Sequence, residues 1–327
     1  MRRLHFTQSS WIIYFRSFLG YISWVYCSFQ EKLNPWINQP KKLVLCMPGG
    51  GLNDVLCITL LFYQYSLRNS RTLFIGSKYS SVGSLKSLFS GWPQSIKFID
   101  EKYENLIENA STIFPPQAKK YIQQCGSDLG FDQSDQTPVH ITFNTSKAYP
   151  DSLLVHVGRG GGFGFDLLRH LQLKEPYRTS VIQTIQRLPH TYDSVQIRNT
   201  DIQTDWQILL EQLGRQSTSL PLLVCSDSDL VLQTFKDRLS KIRPVISLRS
   251  FCKDYQSTPL HYAKTKSQLQ KNTEMFADLF SMAFSRKLYL AASAQGISGF
   301  PRLALALHLH QQTALKILGC SFKDLYR

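Results

Sequence analysis

Leu43-Val44-Leu45-Cys46-Met47-Pro48-Gly49-Gly50-Gly51-Leu52-Asn53-Asp54 passes from a short apolar run through a proline and three glycines into a polar pair. An apolar run without polar alternation fits a strand buried on both faces, as in a parallel sheet. Beyond the glycines, Val55, Ile58, Phe62 and Tyr65 recur at helical spacing, so a helix is expected over 54–67. Arg71-Thr72-Leu73-Phe74-Ile75 reads as the next strand and completes a β-loop-α-β unit with a right-handed crossover. The fold class expected from this opening is α/β.

The same alternation returns further along. Strands are expected at 153–157, 194–198, 222–225, 244–248 and 287–291, with helices at 166–171, 176–187, 206–213, 230–239, 273–284 and 299–307. Residues 77–136 mix turn signals with short apolar pieces such as Ile96-Lys97-Phe98-Ile99, and no internal repeat is present. A boundary at 185–192 gives an N-terminal α/β domain over 41–190 and a C-terminal one over 191–327. Two α/β halves in series place a ligand between them at the carboxyl ends of the strands, so chemistry is sought in the loops that follow strands.

Of the 327 residues 43% are hydrophobic and 18% charged, which excludes a disordered or fibrous chain. Lys and Arg number 37 against 23 Asp and Glu, a net +14 that calls for an anionic partner without choosing among nucleic acid, membrane surface and phosphorylated substrate. Seven scattered cysteines with no C-x-x-C pair argue against a disulfide framework or a structural zinc site. Cys46 and Cys225 lie in apolar runs and read as small buried hydrophobes of a reducing compartment. Residues 1–40 carry an aromatic helix over Trp11–Phe29, interrupted by Arg16, Ser17, Gly20 and Ser23. It suits a helix docked on the protein first, a peripheral membrane contact second, and a true span least, because a mid-segment Arg is costly in lipid. No secretory cleavage site follows it, so the expected location is cytoplasmic, at most peripheral on the inner face of a membrane.

Several loops carry candidate chemistry. Gly49-Gly50-Gly51-Leu52-Asn53-Asp54 can bring backbone amides close to an anion, or be a tight turn with Asp54 as helix cap; it matches neither a Walker loop nor G-x-G-x-x-G. Gln196-Ile197-Arg198-Asn199-Thr200-Asp201, with Asp205-Trp206 behind, delivers a planar cation at a strand end, where it can face a diphosphate or simply pair with Asp201. Ser298-Gly299-Phe300-Pro301-Arg302 is a helix start that can cap itself or cradle an anion. Ser226-Asp227-Ser228-Asp229 can accept hydrogen bonds from a guanine edge or a ribose, or cap the next helix. Gly158-Arg159-Gly160-Gly161-Gly162-Phe163-Gly164 reads as a loop bordering the cleft; one Arg-Gly-Gly copy is weak support for RNA binding.

Taken in order, these segments resemble, across about residues 42–308, the GDP-fucose-dependent fucosyltransferases of the GT-B type. That group includes the nodulation α-1,6-fucosyltransferases, their core-fucosylating animal relatives and the protein O-fucosyltransferases. The resemblance implies two Rossmann-like domains facing a central cleft, the N-terminal one on the acceptor side and the C-terminal one binding the nucleotide sugar. Gln196–Asp201 is similar to the family's H-x-R-x-x-D stretch, which gives Arg198 the donor diphosphate, while Gln196 replaces the family His and cannot carry charge. Gly50, Gly51 and Asn53 resemble the glycine-rich loop near acceptor and sugar. Ser226-Asp227 resembles the strand end near guanosine, and Ser298, Gly299 and Phe300 the turn that holds phosphate. The implied activity is inverting transfer of fucose from GDP-fucose to a glycan hydroxyl, with no cofactor and no metal. Asp201, Asp205 and Asp54 are candidate bases. Alternatives are a GT-B transferase using another nucleotide sugar, and a non-enzymatic basic protein binding nucleic acid. Nucleic acid is not expected, because few Lys/Arg runs interleave with aromatics outside the N-terminus.

Overall fold

The computed structural model describes residues 42–99, 103–119, 141–199, 202–248, 267–294 and 296–326. The N-terminal segment 1–40, with its aromatic stretch, and Asp201 lie outside them. Among the described residues no helix is long and apolar enough to cross a membrane.

The opening unit is built as expected. β1 (Leu43–Gly49) turns through Gly50 into α1 (Leu52–Arg68), and β2 (Thr72–Ile75) follows. The less regular stretch then gives α2 (Leu85–Leu88), β3 (Phe89–Ser90), β4 (Ile96–Phe98), α3 (Glu104–Glu108) and β5 (Ile113–Phe114). β6 (Leu153–Arg159) and the short α4 (Phe165–Leu168) complete the first half. Its sheet has the order β4-β2-β1-β6-β5, all neighbours parallel. The strand alternation fills both faces: Val44 and Cys46 pack with Phe62 and Tyr65 of α1, while Leu45 and Met47 pack with Tyr103 and Ile107.

The second half runs β7 (Gln172–Leu173), α5 (Tyr177–Gln186), β8 (Asp193–Ile197), α6 (Trp206–Gly214), β9 (Leu222–Ser226), α7 (Asp229–Leu239), β10 (Val245–Ile246), α8 (Gln268–Ala283), β11 (Leu288–Leu290), α9 (Gly299–Leu309), α10 (Gln311–Leu318) and α11 (Phe322–Leu325). Its parallel sheet has the order β10-β9-β8-β11. Val195 and Ile197 of β8 face Trp206 and Leu210 of α6 and Phe235 of α7. On the opposite face, Ser194 Oγ donates to Ser285 Oγ at the end of α8, 2.7 Å away.

The chain divides into two compact units between Leu171 and Gln172, upstream of the 185–192 expected from sequence, and Leu88–Ser90 belongs to the second. The reason is packing. β3 pairs antiparallel with β7, and Tyr177 of α5 meets Phe276 of α8 edge-on at 5.7 Å, tying α5 to a helix about a hundred residues away. α8 also starts earlier than expected, at Gln268, where the Ser267 hydroxyl accepts from the Gln270 amide.

At the carboxyl edge of β6, Gly160 presses against α1. A Cβ there would lie 2.5 Å from Cys57 Sγ and Ile58 Cγ1 and 2.9 Å from the Asp54 carbonyl, which is helix backbone and cannot yield. Gly160→Ala is expected to cost about 1–3 kcal/mol of stability through overpacking. Gly161→Ala, whose Cβ would meet nothing within 4 Å, should leave the urea midpoint where it is. Equal midpoints for the two variants would contradict the packing described.

Candidate functional site

In open parallel sheets, ligands collect outside the carboxyl ends of the strands where the strand order reverses. β8 is flanked by β9, which follows it in sequence, and by β11, reached only after α8, so the reversal in the second unit lies between β8 and β11. Arg198 leaves the end of β8 and Ser298 follows β11, which puts both sequence-predicted phosphate groups at one sheet edge on loops after neighbouring strands. The loops are stitched together: the Ala291 amide donates to the Gln196 carbonyl at 3.1 Å and the Asp205 amide to the Ala292 carbonyl at 3.0 Å.

Side-chain alternation then sorts the groups. Val195 and Ile197 point into the α6–α7 core, so Gln196, in step with Ser194, points to the face on which α8 lies. α9 packs along α8. It also packs against β11, the strand beside β8.

Gln196 is 6% exposed, yet its Oε1 has no hydrogen-bond partner. The buried Oδ1 of Asn199, Oγ of Ser298 and Nε of Arg302 share that condition. Buried polar atoms are usually satisfied; unpartnered ones also occur elsewhere, as at Thr59 and Ser66, but these four lie on or just after the neighbouring strands β8 and β11. Asn199 Oδ1 and Arg302 were missed from sequence. Arg302 was signalled only by its position four residues after Ser298, from which a helical side chain leans back toward the N-terminus.

Arg198 is held at the strand end. Its carbonyl accepts from Thr204 Oγ1 at 2.8 Å, and its Nε lies 3.9 Å from Asp227 Oδ2, with 21% of the side chain exposed. Asp227 Oδ1 accepts from the Asn199 amide at 2.7 Å. The expected guanosine reader thus has both carboxylate oxygens beside groups of the β8 loop, and it braces Arg198. The cap of α7 is neither Asp227 nor Asp229: the Ser228 hydroxyl accepts from the Val231 amide at 3.4 Å.

Ser298 takes the N-cap position of α9 in extended backbone, but its hydroxyl does not cap the helix as the sequence suggested. The Ser298 hydroxyl is buried without a partner, and the first-turn amides at Gly299 and Phe300 have no acceptor within the helix. The preceding turn is fixed by Ser293 and Gly296, whose amides donate to each other's carbonyls at 3.2 and 2.9 Å, with Gly296 at φ +92. Burial pushes the His308 imidazole of α9 below its ordinary value, although the backbone of Ala283 and Met282 acts the other way. It is therefore neutral at pH 7, and Arg302 supplies the positive charge of this helix. Asp205 precedes α6, is exposed, and makes no side-chain cap.

The first unit has its own reversal, between β1 and β6, and both glycine-rich loops lie there. Gly50 has φ +93 and its carbonyl accepts from the amide and hydroxyl of Ser81 at 3.1 and 2.7 Å. Gly51, not Asp54, is the N-cap of α1, because Asp54 already sits inside the first turn. Asn53 is put to a use the sequence did not suggest. At 3% exposure, its Oδ1 accepts from the Gly164 amide at 2.9 Å and its Nδ2 donates to the Gly162 carbonyl at 3.3 Å. Its carboxamide pins one glycine loop to the other and is spent on that task. Among the described residues no group of three His, Cys, Asp or Glu side chains could hold a metal ion.

No protein-family model and no curated protein matches the chain. Solved structures do. The chain is similar to the fucosyltransferase NodZ from Bradyrhizobium at 15% identity and TM-score 0.51, over 81% of this chain and 93% of that one. A selenomethionine form of the same Bradyrhizobium enzyme gives 15% identity and TM-score 0.53, over 81% and 91%. The NodZ α-1,6-fucosyltransferase soaked with GDP-fucose gives 15% and 0.52, over 82% and 92%. The chain accordingly has an α/β fold of the GT-B-like class, the fold of the NodZ fucosyltransferase.

Proposed function

We propose that the chain is a fucosyltransferase that moves fucose from GDP-fucose to a glycan hydroxyl, with inversion and without a metal. The observation that carries this reading is the group of orphaned buried atoms, Gln196 Oε1, Asn199 Oδ1, Ser298 Oγ and Arg302 Nε, around the β8–β11 reversal beside Arg198. Support also comes from the shared fold with NodZ, one of whose structures was soaked with GDP-fucose. Breaking the bond from the anomeric carbon to the diphosphate leaves negative charge on the departing group. Arg198 and the first turn of α9 supply preorganised positive charge and N–H donors for it. The acceptor hydroxyl attacks the opposite face of the sugar and gives its proton to a base. Asp205 is the described candidate whose carboxylate is exposed and not used as a cap, with Asp201 beside it in sequence. Asp54, in the first turn of α1, adjoins Gly50. The first unit, with its glycine loops, is assigned to the acceptor, and Trp11–Phe29 to a helix docked on the protein, with peripheral membrane contact the second reading.

One observation favours a second reading, transfer from another nucleotide sugar: the Asp227 carboxylate that would read guanine already faces the Asn199 amide and Arg198. Thermal-shift ranking of GDP, UDP, ADP and CDP, followed by turnover of the matching fucosyl or glycosyl nucleotides, separates the two. GDP should give the largest shift and GDP-fucose should turn over. A larger shift with UDP, ADP or CDP and no GDP-fucose turnover overturns the guanine assignment.

A further inference from the structure

We infer that Arg302 is a second cation of the anion site, holding the terminal phosphate of the donor diphosphate through Nε. The inference rests on the nucleotide-sugar reading above and adds a residue to it. α9 is an eleven-residue helix whose N-cap hydroxyl, on Ser298, is buried without a partner. Arg302 sits one turn in, where its side chain leans back along the helix toward that hydroxyl. Its Nε is buried and also lacks a partner, while the Arg302 amide is engaged with the Ser298 carbonyl at 3.2 Å. A buried guanidinium N–H with nothing to donate to is expensive to maintain, and the cost is recovered when an anion binds.

An independent observation comes from the neighbouring strand. Gln196, 6% exposed, has an unpartnered Oε1 and lies on the face of β8 against which α8 packs, with α9 packed on α8 and on the adjacent β11. Donors without acceptors on α9 and an acceptor without a donor on β8 describe a ligand with two kinds of group: phosphate oxygens toward α9, and hydroxyl or N–H groups toward β8. A nucleoside diphosphate sugar has both. The planar guanidinium of Arg302 can meet phosphate oxygens with N–H donors held in a fixed fork.

The test is calorimetric titration of wild type, Arg302→Ala and Arg302→Lys with GDP, guanosine and inorganic pyrophosphate, each variant first checked for an unchanged circular dichroism spectrum. Arg302→Ala should weaken GDP and pyrophosphate by about 10- to 100-fold, the scale of one lost charged hydrogen bond, and leave guanosine unchanged. Arg302→Lys should recover part of the loss, since it keeps the charge and loses the fork. GDP and pyrophosphate affinities within threefold of wild type overturn the inference, as does a parallel loss of guanosine, which would mean a structural role. Absence of any pyrophosphate binding by wild type also overturns it. Retained pyrophosphate dependence on Arg302 with no GDP-fucose turnover would instead sink the fucosyltransferase reading and leave the anion site standing.

Discussion

Asp193→Ala should lower the free energy of unfolding by about 3–5 kcal/mol, the cost of removing one partner from a buried ion pair. Asp193 is fully buried at the amino end of β8. Arg243 Nη2 donates to its Oδ2 at 2.9 Å, and Arg286 Nε and Nη2 donate to Oδ1 and Oδ2 at 2.9 and 3.0 Å. Arg243 is 1% exposed and spends its Nε on the Leu220 carbonyl at 2.6 Å, so it cannot swing out to water when the carboxylate is lost. A domain's whole stability is about 5–15 kcal/mol, so the variant should sit close to the edge of folding. Urea midpoints followed by circular dichroism measure it. The paired replacement Asp193→Leu with Arg243→Met should restore much of the loss, because it removes both buried charges together. A single-variant loss below about 1 kcal/mol would mean that the pair is not what secures this end of the sheet. Turnover per folded molecule should be unchanged, since five residues of strand put Asp193 roughly 16 Å from Arg198.

Much of the fold was legible because it is written locally. Apolar runs leading into glycines announced β1 and β6, short apolar pieces leading into polar turns announced β8 and β9, and the helical spacing of Val55, Ile58, Phe62 and Tyr65 announced α1. What sequence could not show is which strands become neighbours. β11 lies beside β8 although β9 and β10 come between them in the chain, and it is this adjacency that brings Arg198 and Ser298 to one edge. The division at Leu171 was hidden for the same reason, since α5 is claimed by α8 through ring contacts far along the chain. Charge was misleading in detail. Arg71, just before β2, is 6% exposed and donates to the carbonyls of Leu43, Tyr149 and Asp151, closing the amino end of the first sheet. Arg243 does the equivalent work in the second. Part of the +14 is thus internal scaffolding and says nothing about partners. Motifs named the residue types at Gln196, Arg198 and Ser298, and the strand order places the three at one sheet edge. Their use was not legible: whether a side chain is spent on its own fold, as at Asn53, or left unspent, as at Arg302, depends on groups a hundred residues away or on a helix face.

Arg198→Ala should reduce turnover of GDP-fucose by about 100- to 1000-fold, or roughly 2.7–4 kcal/mol of transition-state stabilisation, the scale seen when a preorganised donor to a developing anion is removed. The Arg198 backbone is fixed by Thr204 Oγ1 donating to its carbonyl, and its guanidinium lies beside Asp227, 3.9 Å from Nε, with 21% of the side chain exposed at the sheet edge. A group braced in this way loses little freedom when a diphosphate arrives, so its charge is most valuable as the glycosidic bond lengthens and negative charge moves onto the leaving group. The loss should therefore fall mainly on kcat, with a smaller rise in KM. Arg198→Lys should be intermediate, because an ammonium keeps the charge but cannot meet two phosphate oxygens with parallel N–H groups. The variants must first show wild-type circular dichroism, since Asp227 loses an ionic neighbour and the loop after β8 could shift. Arg198 contributes nothing to the folding of β8 itself, whose residues 193–197 are fully paired with β9, so the folded state should survive. If kcat/KM of the alanine variant stays within about threefold of wild type, under 1 kcal/mol, the guanidinium does not carry the departing diphosphate. The charge for that step would then have to come from the first turn of α9 with Arg302 alone.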